Sequence, residues 1–430
     1  MFKLFGFAFR LLLLLFAFVA LYYLIPFKIA QIQEKWANEA STGEASYNQV
    51  LHWNPHQGDA LTNLAEIAKQ QGDFDKAKSY ALQALSVDPT NGRATTILIP
   101  VYEETNDTIY LQRALELAPR QWTAHSYVHT TLADHWAKQG DIEKVLQEWD
   151  LLLTRHRGLY QPIFPVLLSY ANSSDGQDLL TPFATRPAKW WKDFFVYMIK
   201  QNVDLSVLQF FYQQRVSTNV PLEDNERNAY VRRLQQAKLW DLAYSSWVSG
   251  LSADEFALIG SVYDGGFEST RHDTGFDWYF RQSKQARISL GRTHGIAGKR
   301  ALHIVFKNRK ATRFKNVWQR LLLEPGRQYQ VVMRARVDNL ENPQGLTWKV
   351  VCADEKTQLL ASSPPFRGTK KWHDISFEFS VPEQGCDSQV IRLEAVSKYH
   401  HEQFFKGGIW FDELNILPLT PDSKPASSKL

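Results

Sequence analysis

The chain has 430 residues, with 49 Lys and Arg against 45 Asp and Glu, and a formal net charge of +4. That length allows two or three domains, each large enough to bury its own core. So mild a charge, without a compact basic run or a nucleic-acid-binding motif, argues against a nucleic-acid partner.

The first segment is apolar from Leu4 to Pro26, with Arg10 as its one charged residue. It is long enough to cross a hydrocarbon layer of about 30 Å at about 1.5 Å per residue. A cleaved signal peptide is the alternative, but no good cleavage site follows, because Ala20 is preceded by large residues. We therefore predict an uncleaved transmembrane anchor over residues 4–27. The positive charges at its two ends are nearly balanced and leave its orientation open.

A helix-turn-helix period follows. Its clearest unit covers residues 58–90, with apolar and small residues on two helical faces and Gly72-Asp73 at the turn. The turn sequence returns at Gly140-Asp141, while the unit between is irregular. The pattern resembles the tetratricopeptide repeat. This resemblance implies all-α helical repeats over residues 40–155 that bind protein partners through a concave surface.

Residues 156–253 stay helical in pattern but lose the period. Prolines punctuate their first part, and Trp190-Trp191 opens a thick apolar stripe. Such a stripe is typical of a packed core. The alternative is that the Trp pair lines the cleft of a glycan-active enzyme. We predict a helical continuation that caps the repeats.

From residue 256 the apolar residues alternate. Ile375, Phe377 and Phe379, for example, are separated by polar residues. Strands with this alternation, divided by Gly, Pro and Asn turns, predict an all-β antiparallel sandwich over residues 256–418. The polar residues 419–430 read as a disordered tail.

An ordered string of short motifs runs through this all-β region. It comprises Gly265-Gly266-Phe267-Glu268, Gly298-Lys299-Arg300-Ala301-Leu302, Trp318-Gln319, Leu323 to Tyr329, Trp372, Val381-Pro382 and Trp410-Phe411-Asp412. The string resembles the jelly-roll carbohydrate-binding modules of bacterial glycan-active enzymes. It implies a jelly-roll sandwich that binds polysaccharide, and it places the chain beyond the anchor outside the cytoplasm.

Strand parity selects the side chains that point away from the sandwich core. They combine one indole with five Arg and Lys side chains, a set suited to a sugar chain that carries carboxylates. The region from Glu255 to Pro418 holds 24 Lys and Arg against 18 Asp and Glu, a net charge of +6. An ordinary solvated outer face is the alternative. The predicted glycan-binding residues are His303, Trp318, Arg320, Arg334, Arg336, Lys349, Arg392 and Glu394.

Further aromatic residues, Trp278, Tyr279 and Phe280, either close the end of the core or lie at the sandwich edge. The resemblance also implies a structural calcium ion, with Glu268 and Asp412 at the acidic positions of the first and last motifs. Backbone carbonyls and water would complete its six to eight oxygen ligands. A charged pair at the sandwich edge is the alternative reading, and no other cofactor is expected.

The two cysteines of the chain, Cys352 and Cys386, both fall in the sandwich. They form a disulfide if the compartment is oxidising, and two buried thiols otherwise. Closing a loop of about 34 residues contributes on the order of 3–4 kcal/mol.

No nucleophile elbow, P-loop, dinucleotide fingerprint or zinc-protease motif occurs in the sequence, so we predict no enzymatic activity. The prediction is a single-pass bacterial inner-membrane protein with a cytoplasmic amino terminus and periplasmic domains. It binds glycan through the jelly roll and protein through the repeats, in exopolysaccharide or surface-glycan assembly and export. A pure protein scaffold and an unrecognised glycan-active enzyme are the alternatives.

Overall fold

The computed structural model describes residue 26 and residues 28–35, 43–270, 273–307, 310–353, 358–397 and 399–419. The predicted anchor (4–27) lies outside these residues except for Pro26, and the predicted tail (419–430) except for Leu419. Within the described ranges, no helix is both long and apolar enough to cross a membrane. Helical repeats followed by an all-β region confirm the rest of the predicted fold class.

The helices come first in the chain, in antiparallel pairs. They are α1 (Glu44–Trp53), α2 (Gly58–Gln70), α3 (Phe74–Val87), α4 (Gly92–Glu104), α5 (Thr108–Gln121), α6 (Ser126–Lys138), α7 (Ile142–Arg155), α8 (Tyr160–Ala171), α9 (Ser174–Thr185), α10 (Trp191–Lys200), α11 (Leu205–Val216), α12 (Asp224–Gln236), α13 (Trp240–Val248) and the short α14 (Ala253–Phe256).

The turns inside the pairs α2/α3, α4/α5 and α6/α7 recur every 34 residues. Gly72, Asn106 and Gly140 each adopt a left-handed backbone, with φ of 79°, 54° and 73°. The residue after each donates its N–H back across the turn, as from Asp107 to the carbonyl of Tyr102 at 3.0 Å. Glycine and asparagine tolerate this conformation best. The irregular middle unit of the sequence therefore keeps the repeat turn, with asparagine in place of glycine.

Small residues allow the paired helices to approach closely. Ala65 and Ala68 of α2 and Ala77 and Ala81 of α3 are buried in one cluster with residues of α4 to α6. Trp190 is also buried, and its Nε1 donates to Asp150 Oδ1 at 2.8 Å. The indole of Trp191 is fully buried too. The Trp pair therefore lies in a core, as its apolar stripe predicts, and lines no open cleft.

The described chain divides into two compact units. The first ends at Phe183 and also takes Pro187–Trp191, and the second takes Ala184–Arg186 and the described residues from Lys192 onward. Helices α11 to α14 thus belong to the same unit as the all-β region. Trp247 of α13 packs against Tyr263 and Phe276, with ring centroids 5.0 and 5.7 Å away.

In the described residues, the all-β region contains ten strands. They are β1 (Tyr279–Phe280), β2 (Ala286–Arg292), β3 (Arg300–Lys307), β4 (Val317–Leu321), β5 (Gln328–Glu341), β6 (Leu346–Cys352), β7 (Leu359–Ser362), β8 (Gly368–Ser380), β9 (Gln389–Ala395) and β10 (Lys406–Pro418). They form two antiparallel five-stranded sheets. Sheet I has the order β1-β4-β9-β6-β7, and sheet II has the order β2-β3-β10-β5-β8.

The two sheets enclose one apolar core. Its largest buried side chains include Trp278, Trp348, Phe314 and Phe411. Alternate residues of each strand enter this core, so the residues between them point outward. A disulfide joins Cys352, the last residue of β6, to Cys386, in the loop before β9. It ties together two adjacent strands of sheet I.

Candidate functional site

The eight side chains predicted to bind glycan lie on two faces of the sandwich rather than one. Since the two sheets enclose the core between them, their outward sides face opposite directions. A single site built from all eight residues is therefore ruled out by the strand order. Sheet I carries Trp318, Arg320, Lys349, Arg392 and Glu394, and sheet II carries His303, Arg334 and Arg336.

The outward side of sheet I, which we call the sheet I face, is organised around one row of side chains. Tyr279 pairs with Trp318, and Trp318 pairs with Arg392 on the next strand. Arg392 pairs with Lys349, which in turn pairs with Ser362. Directly paired residues have Cβ atoms about 4.5–5.5 Å apart. The row therefore places two aromatic rings, two cations and a hydroxyl side by side across all five strands.

The aromatic end of the row is a stacked pair. The rings of Tyr279 and Trp318 lie 3.9 Å apart with an interplanar angle of 3°. Burial raises the pKa of Tyr279 to about 12, so its phenol is neutral at physiological pH. Tyr279 covers one face of the indole, and Arg392 is the residue paired with Trp318 on the neighbouring strand. The indole forms an apolar wall beside the cations.

Beneath the cations lies a buried carboxylate. The side chain of Glu394 is 6% exposed and accepts a hydrogen bond from Lys349 Nζ at 2.9 Å. It also pairs with Arg392, and Lys315 Nζ lies 3.9 Å away. Burial alone would raise the pKa of Glu394, but the hydrogen bonds and charges of Lys349 and Arg392 lower it. Glu394 thus positions the cations and is itself shielded from solvent.

Arg320 connects the sheet I face to the helices of the same unit. It follows Trp318 by two residues on β4 and therefore points to the same side of the sheet. Its Nη1 donates to Ser388 Oγ at 2.7 Å, and its guanidinium lies 4.6 Å from the ring centroid of Trp240. Among the described residues of this face, the carboxylate of Glu394 is accompanied by four cations, which are Lys315, Arg320, Lys349 and Arg392.

The three predicted residues on sheet II make contacts with other side chains and with a loop. The imidazole of His303 stacks on Trp410 with ring centroids 3.6 Å apart, and the guanidinium of Arg336 lies 4.7 Å from the same indole. Burial, together with Arg287 and Arg336, lowers the pKa of His303 to about 4, so this side chain is neutral at pH 7. Neither the stacked indole nor the neutral imidazole suits an acidic sugar.

The two arginines of sheet II hold the loop before β3. Arg334 Nη1 donates to the carbonyl of Gly295 at 2.7 Å, and Arg336 Nη1 donates to Thr293 Oγ1 at 3.1 Å. Trp372 Nε1 donates to the carbonyl of His294 at 3.0 Å. These side chains fasten the loop to the sheet, and sheet I is the better candidate for a binding face.

An acidic cluster lies where β10 approaches the loops before β1 and β3. Asp412 is 1% exposed, and among the described residues its Oδ1 has no hydrogen-bond partner. Burial, with added repulsion from Glu413 and Glu268, raises its pKa to about 7. Glu268 Oε1 accepts the backbone N–H groups of Lys299 and Arg300.

The donor set fits calcium in part. Asp412 offers one desolvated, unshared carboxylate oxygen, whereas Glu268 Oε1 is already occupied. In the part of the chain that the structure describes, no three His, Cys, Asp or Glu side chains converge as a metal-binding group. Backbone carbonyls and water would therefore have to supply most of the ligands that calcium needs.

The first helices of the repeat pairs share a polar cluster. Tyr127 of α6 donates from its hydroxyl to Glu66 Oε2 at 2.6 Å and accepts from Lys69 Nζ at 2.8 Å. Both partners belong to α2, two repeat units earlier. Between them, Arg93 of α4 donates to Asn63 Oδ1 at 2.8 Å. The cluster thus extends over α2, α4 and α6, the first helix of each pair. Repeat proteins of this kind bind partners along an extended concave surface.

The sequence left Tyr279 open between the end of the core and the sandwich edge, and it did not mark Ser362 or Trp240 as binding residues. The structure buries Trp278 and Phe280 but directs Tyr279 outward. The available signal was that side chains alternate along a strand, so Tyr279 points outward if its neighbours Trp278 and Phe280 point into the core. Nothing in the local sequence pairs Trp240 with Arg320, because 80 residues separate them.

Comparison with known proteins gives one family match. The tetratricopeptide-repeat model matches residues 58–91, which is the unit that the sequence pattern marks most clearly. None of the curated proteins matches this chain.

Several solved carbohydrate-binding modules are similar to the all-β region. A family 4 module has 15% identity and a TM-score of 0.29, and the match covers 37% of this chain and 100% of the module. The C-terminal family 22 module of Clostridium thermocellum endo-1,4-beta-D-xylanase 10B has 17% identity and a TM-score of 0.27, covering 37% and 93%. A xylan-binding family 22 domain from Paenibacillus barcinonensis has 14% identity and a TM-score of 0.26, covering 36% and 92%.

Proposed function

We propose that this chain is a non-catalytic protein that binds an acidic polysaccharide on the sheet I face and a protein partner on its helical repeats. The observation that carries the first part is the row from Tyr279 to Ser362. In that row, an indole wall stands beside two cations that a buried carboxylate positions.

The chemistry of the row suits a sugar chain. The Trp318 indole, which Tyr279 stacks on one face, is the group of this row that offers an apolar plane to the C–H bonds of a pyranose ring. Arg392 and Lys349 are 25% and 29% exposed, so they retain donors for a ligand carboxylate. Charge-assisted hydrogen bonds of this kind are stronger than neutral ones. The surplus of cations on the face favours a uronic-acid polymer over a neutral one.

The partner on the repeats is proposed from their class and from the polar cluster of α2, α4 and α6. Repeat solenoids bind partners along extended concave surfaces. The match of residues 58–91 to the tetratricopeptide repeat supports this assignment.

The cellular setting is proposed because helical repeats and a sandwich of this kind occur in the same chain. We propose that residues 4–27 anchor the chain in the bacterial inner membrane, with the amino terminus in the cytoplasm and both regions in the periplasm. There the protein would bring polysaccharide and its assembly or export machinery together. We also propose that calcium binds at Asp412 and Glu268 as a structural ion.

Affinity electrophoresis of the purified protein through gels that contain alginate or xylan tests the glycan assignment. The wild type should be retarded by alginate, and less so at 0.5 M salt, because salt screens exposed charges. Trp318→Ala should lower the affinity by about tenfold or more, since buried aromatic anchors dominate binding. Lys349→Gln should weaken binding to alginate alone.

Two matched variants control for surface changes elsewhere in the sandwich. Tyr399→Ala removes an aromatic ring that is 63% exposed, and Lys370→Gln removes an exposed cation on β8 of sheet II. Both should bind like the wild type. A folded wild-type protein that no polymer retards would refute the glycan assignment and leave the scaffold alternative.

A further inference from the structure

A cavity of about 620 Å³ lies where the helices of the second unit meet the end of β4. It opens to solvent beside the sheet I face and belongs to neither the row nor the repeats. The residues that line it come from the turn into α13, the start of that helix, the β4–β5 connection and the loop before β9. They are Lys238, Leu239, Trp240, Asp241, Leu242, Leu322, Leu323, Glu324, Pro325 and Asp387.

The cavity continues the sheet I face along β4. Trp318 and Arg320 are successive outward residues of this strand, and Leu322, which lines the cavity, is next in the alternation. At about 3.3 Å per residue, Trp318 and Leu322 are roughly 13 Å apart. A polymer that lies along β4 from the indole of Trp318 therefore reaches the cavity after a few sugar rings.

Trp240 joins the cavity to the face as a fixed structural element. One side of its ring is contacted by Arg320, which Ser388 holds from the other direction. The turn before it depends on Lys238, whose backbone is left-handed with φ of 60°. Leu239 then donates its N–H to the carbonyl of Leu234 at 3.0 Å. The cavity wall is therefore preformed rather than contributed by a loose loop.

The chemistry of the cavity differs from that of the row. Its apolar residues include Leu239, which is 45% exposed, and Pro325. Asp241, Glu324 and Asp387 are exposed at its edge, with Lys238 as the cation among the lining residues. Glu324 is paired with Arg327 at 2.7 Å, so Asp241 and Asp387 supply the remaining acidic edge. Carboxylates accept hydrogen bonds from sugar hydroxyls but repel a uronate. The lining thus favours an uncharged sugar.

We propose that this cavity is a second subsite of the sheet I face and takes a neutral sugar of the same polymer. The ligand is then a heteropolysaccharide in which acidic and neutral residues are combined, with the acidic residue on Arg392 and Lys349. This inference rests on the proposed glycan binding. It adds that helices outside the sandwich complete the site.

The test uses the full chain and titrates three sets of oligosaccharides. Hyaluronan fragments alternate a uronic acid with a neutral amino sugar, alginate fragments are uronic throughout, and xylan fragments are largely neutral. Leu239→Arg places a long side chain in the cavity beside Asp241, where its guanidinium can pair with that carboxylate and close the cavity. Leu82→Arg is the matched control, because Leu82 is 44% exposed in the first unit.

For hyaluronan fragments long enough to span β4, Leu239→Arg should raise Kd by about tenfold, as expected for a blocked apolar pocket. Shorter fragments and alginate should bind it like the wild type, and Leu82→Arg should change nothing. A second variant, Asp241→Ala, should weaken only the long fragments.

The outcomes separate this inference from the function on which it rests. Binding that Trp318→Ala removes but Leu239→Arg leaves unchanged at every length would overturn the subsite alone. A Leu239→Arg variant that loses binding of a protein partner, and not of the long oligosaccharides, would likewise overturn the subsite alone. If the wild type binds none of the oligosaccharides, both proposals fail.

Discussion

Replacing both cysteines, by Cys352→Ala with Cys386→Ala, is expected to lower the free energy of unfolding of the second unit by about 3–4 kcal/mol. The disulfide closes a loop of 34 residues that contains β7 and β8. Without it, the unfolded chain gains the conformational freedom of that loop. Both cysteines are buried, so the substitution also removes sulfur atoms from the core. Urea unfolding of the variant and the wild type measures the loss.

Reduction of the wild type provides the matching control. The chain has only these two cysteines, so a reductant has no other disulfide to break. The reduced wild type and the double variant should therefore unfold at similar urea concentrations, both below the oxidised protein. An oxidised and a fully reduced wild type with equal midpoints would contradict the prediction. Since β6 and β9 carry Lys349 and Arg392, polysaccharide binding should be lost over the same urea range.

The alternation of apolar residues predicted the sandwich because each strand has one side in the core. The same alternation gave Trp318 and Arg392 as outward residues, and both are half-buried between buried neighbours, whereas Glu394 is buried beneath the cations. The alternation did not reveal on which sheet a strand lies, because sheet assignment depends on connections between distant strands. Arg334 and Arg392 therefore appeared equivalent in sequence, although one fastens a loop on sheet II and the other borders Trp318 on sheet I.

In the repeat region, too, the local sequence revealed only part of the structure. The glycine at position 72 identified one turn, and its recurrence at 140 identified another. Asn106 occupies the same left-handed position between them, but asparagine is also common on helix surfaces and in loops, so its role was hidden. The contact between Trp240 and Arg320 depends on how the last helices pack on the sandwich, which no local pattern encodes.

The acidic cluster at β10 gives the second large prediction. With calcium removed by a chelator, ionisation of Asp412 should lower the free energy of unfolding by about 2–4 kcal/mol as the pH rises from about 4 to about 7. Its pKa is raised to about 7 in the folded state, so over this range the folded protein binds more protons than the unfolded chain. Stability therefore falls with rising pH, and Asp412→Asn should abolish that fall.

The comparison must be made between wild type and variant at each pH, because another group acts in the opposite direction. The pKa of His303 is lowered by burial to about 4, so the folded protein gains stability from this residue as the pH rises towards 6.5. The two effects partly cancel in the wild-type curve. Subtracting the curve of Asp412→Asn isolates the carboxylate, and urea midpoints at pH 4, 5, 6 and 7 suffice.

Bound calcium should offset the loss of stability that ionised Asp412 causes when calcium is absent. At pH 7, calcium at about 100 times its Kd should stabilise the wild type by about 2.7 kcal/mol. Asp412→Asn should gain little, and Glu378→Gln, which changes an exposed acid on β8, should respond like the wild type. Equal stabilisation of wild type and Asp412→Asn would place the ion elsewhere. A wild type that calcium does not stabilise, with the pH effect intact, would make Asp412 a buried acid that is protonated near neutral pH without a metal.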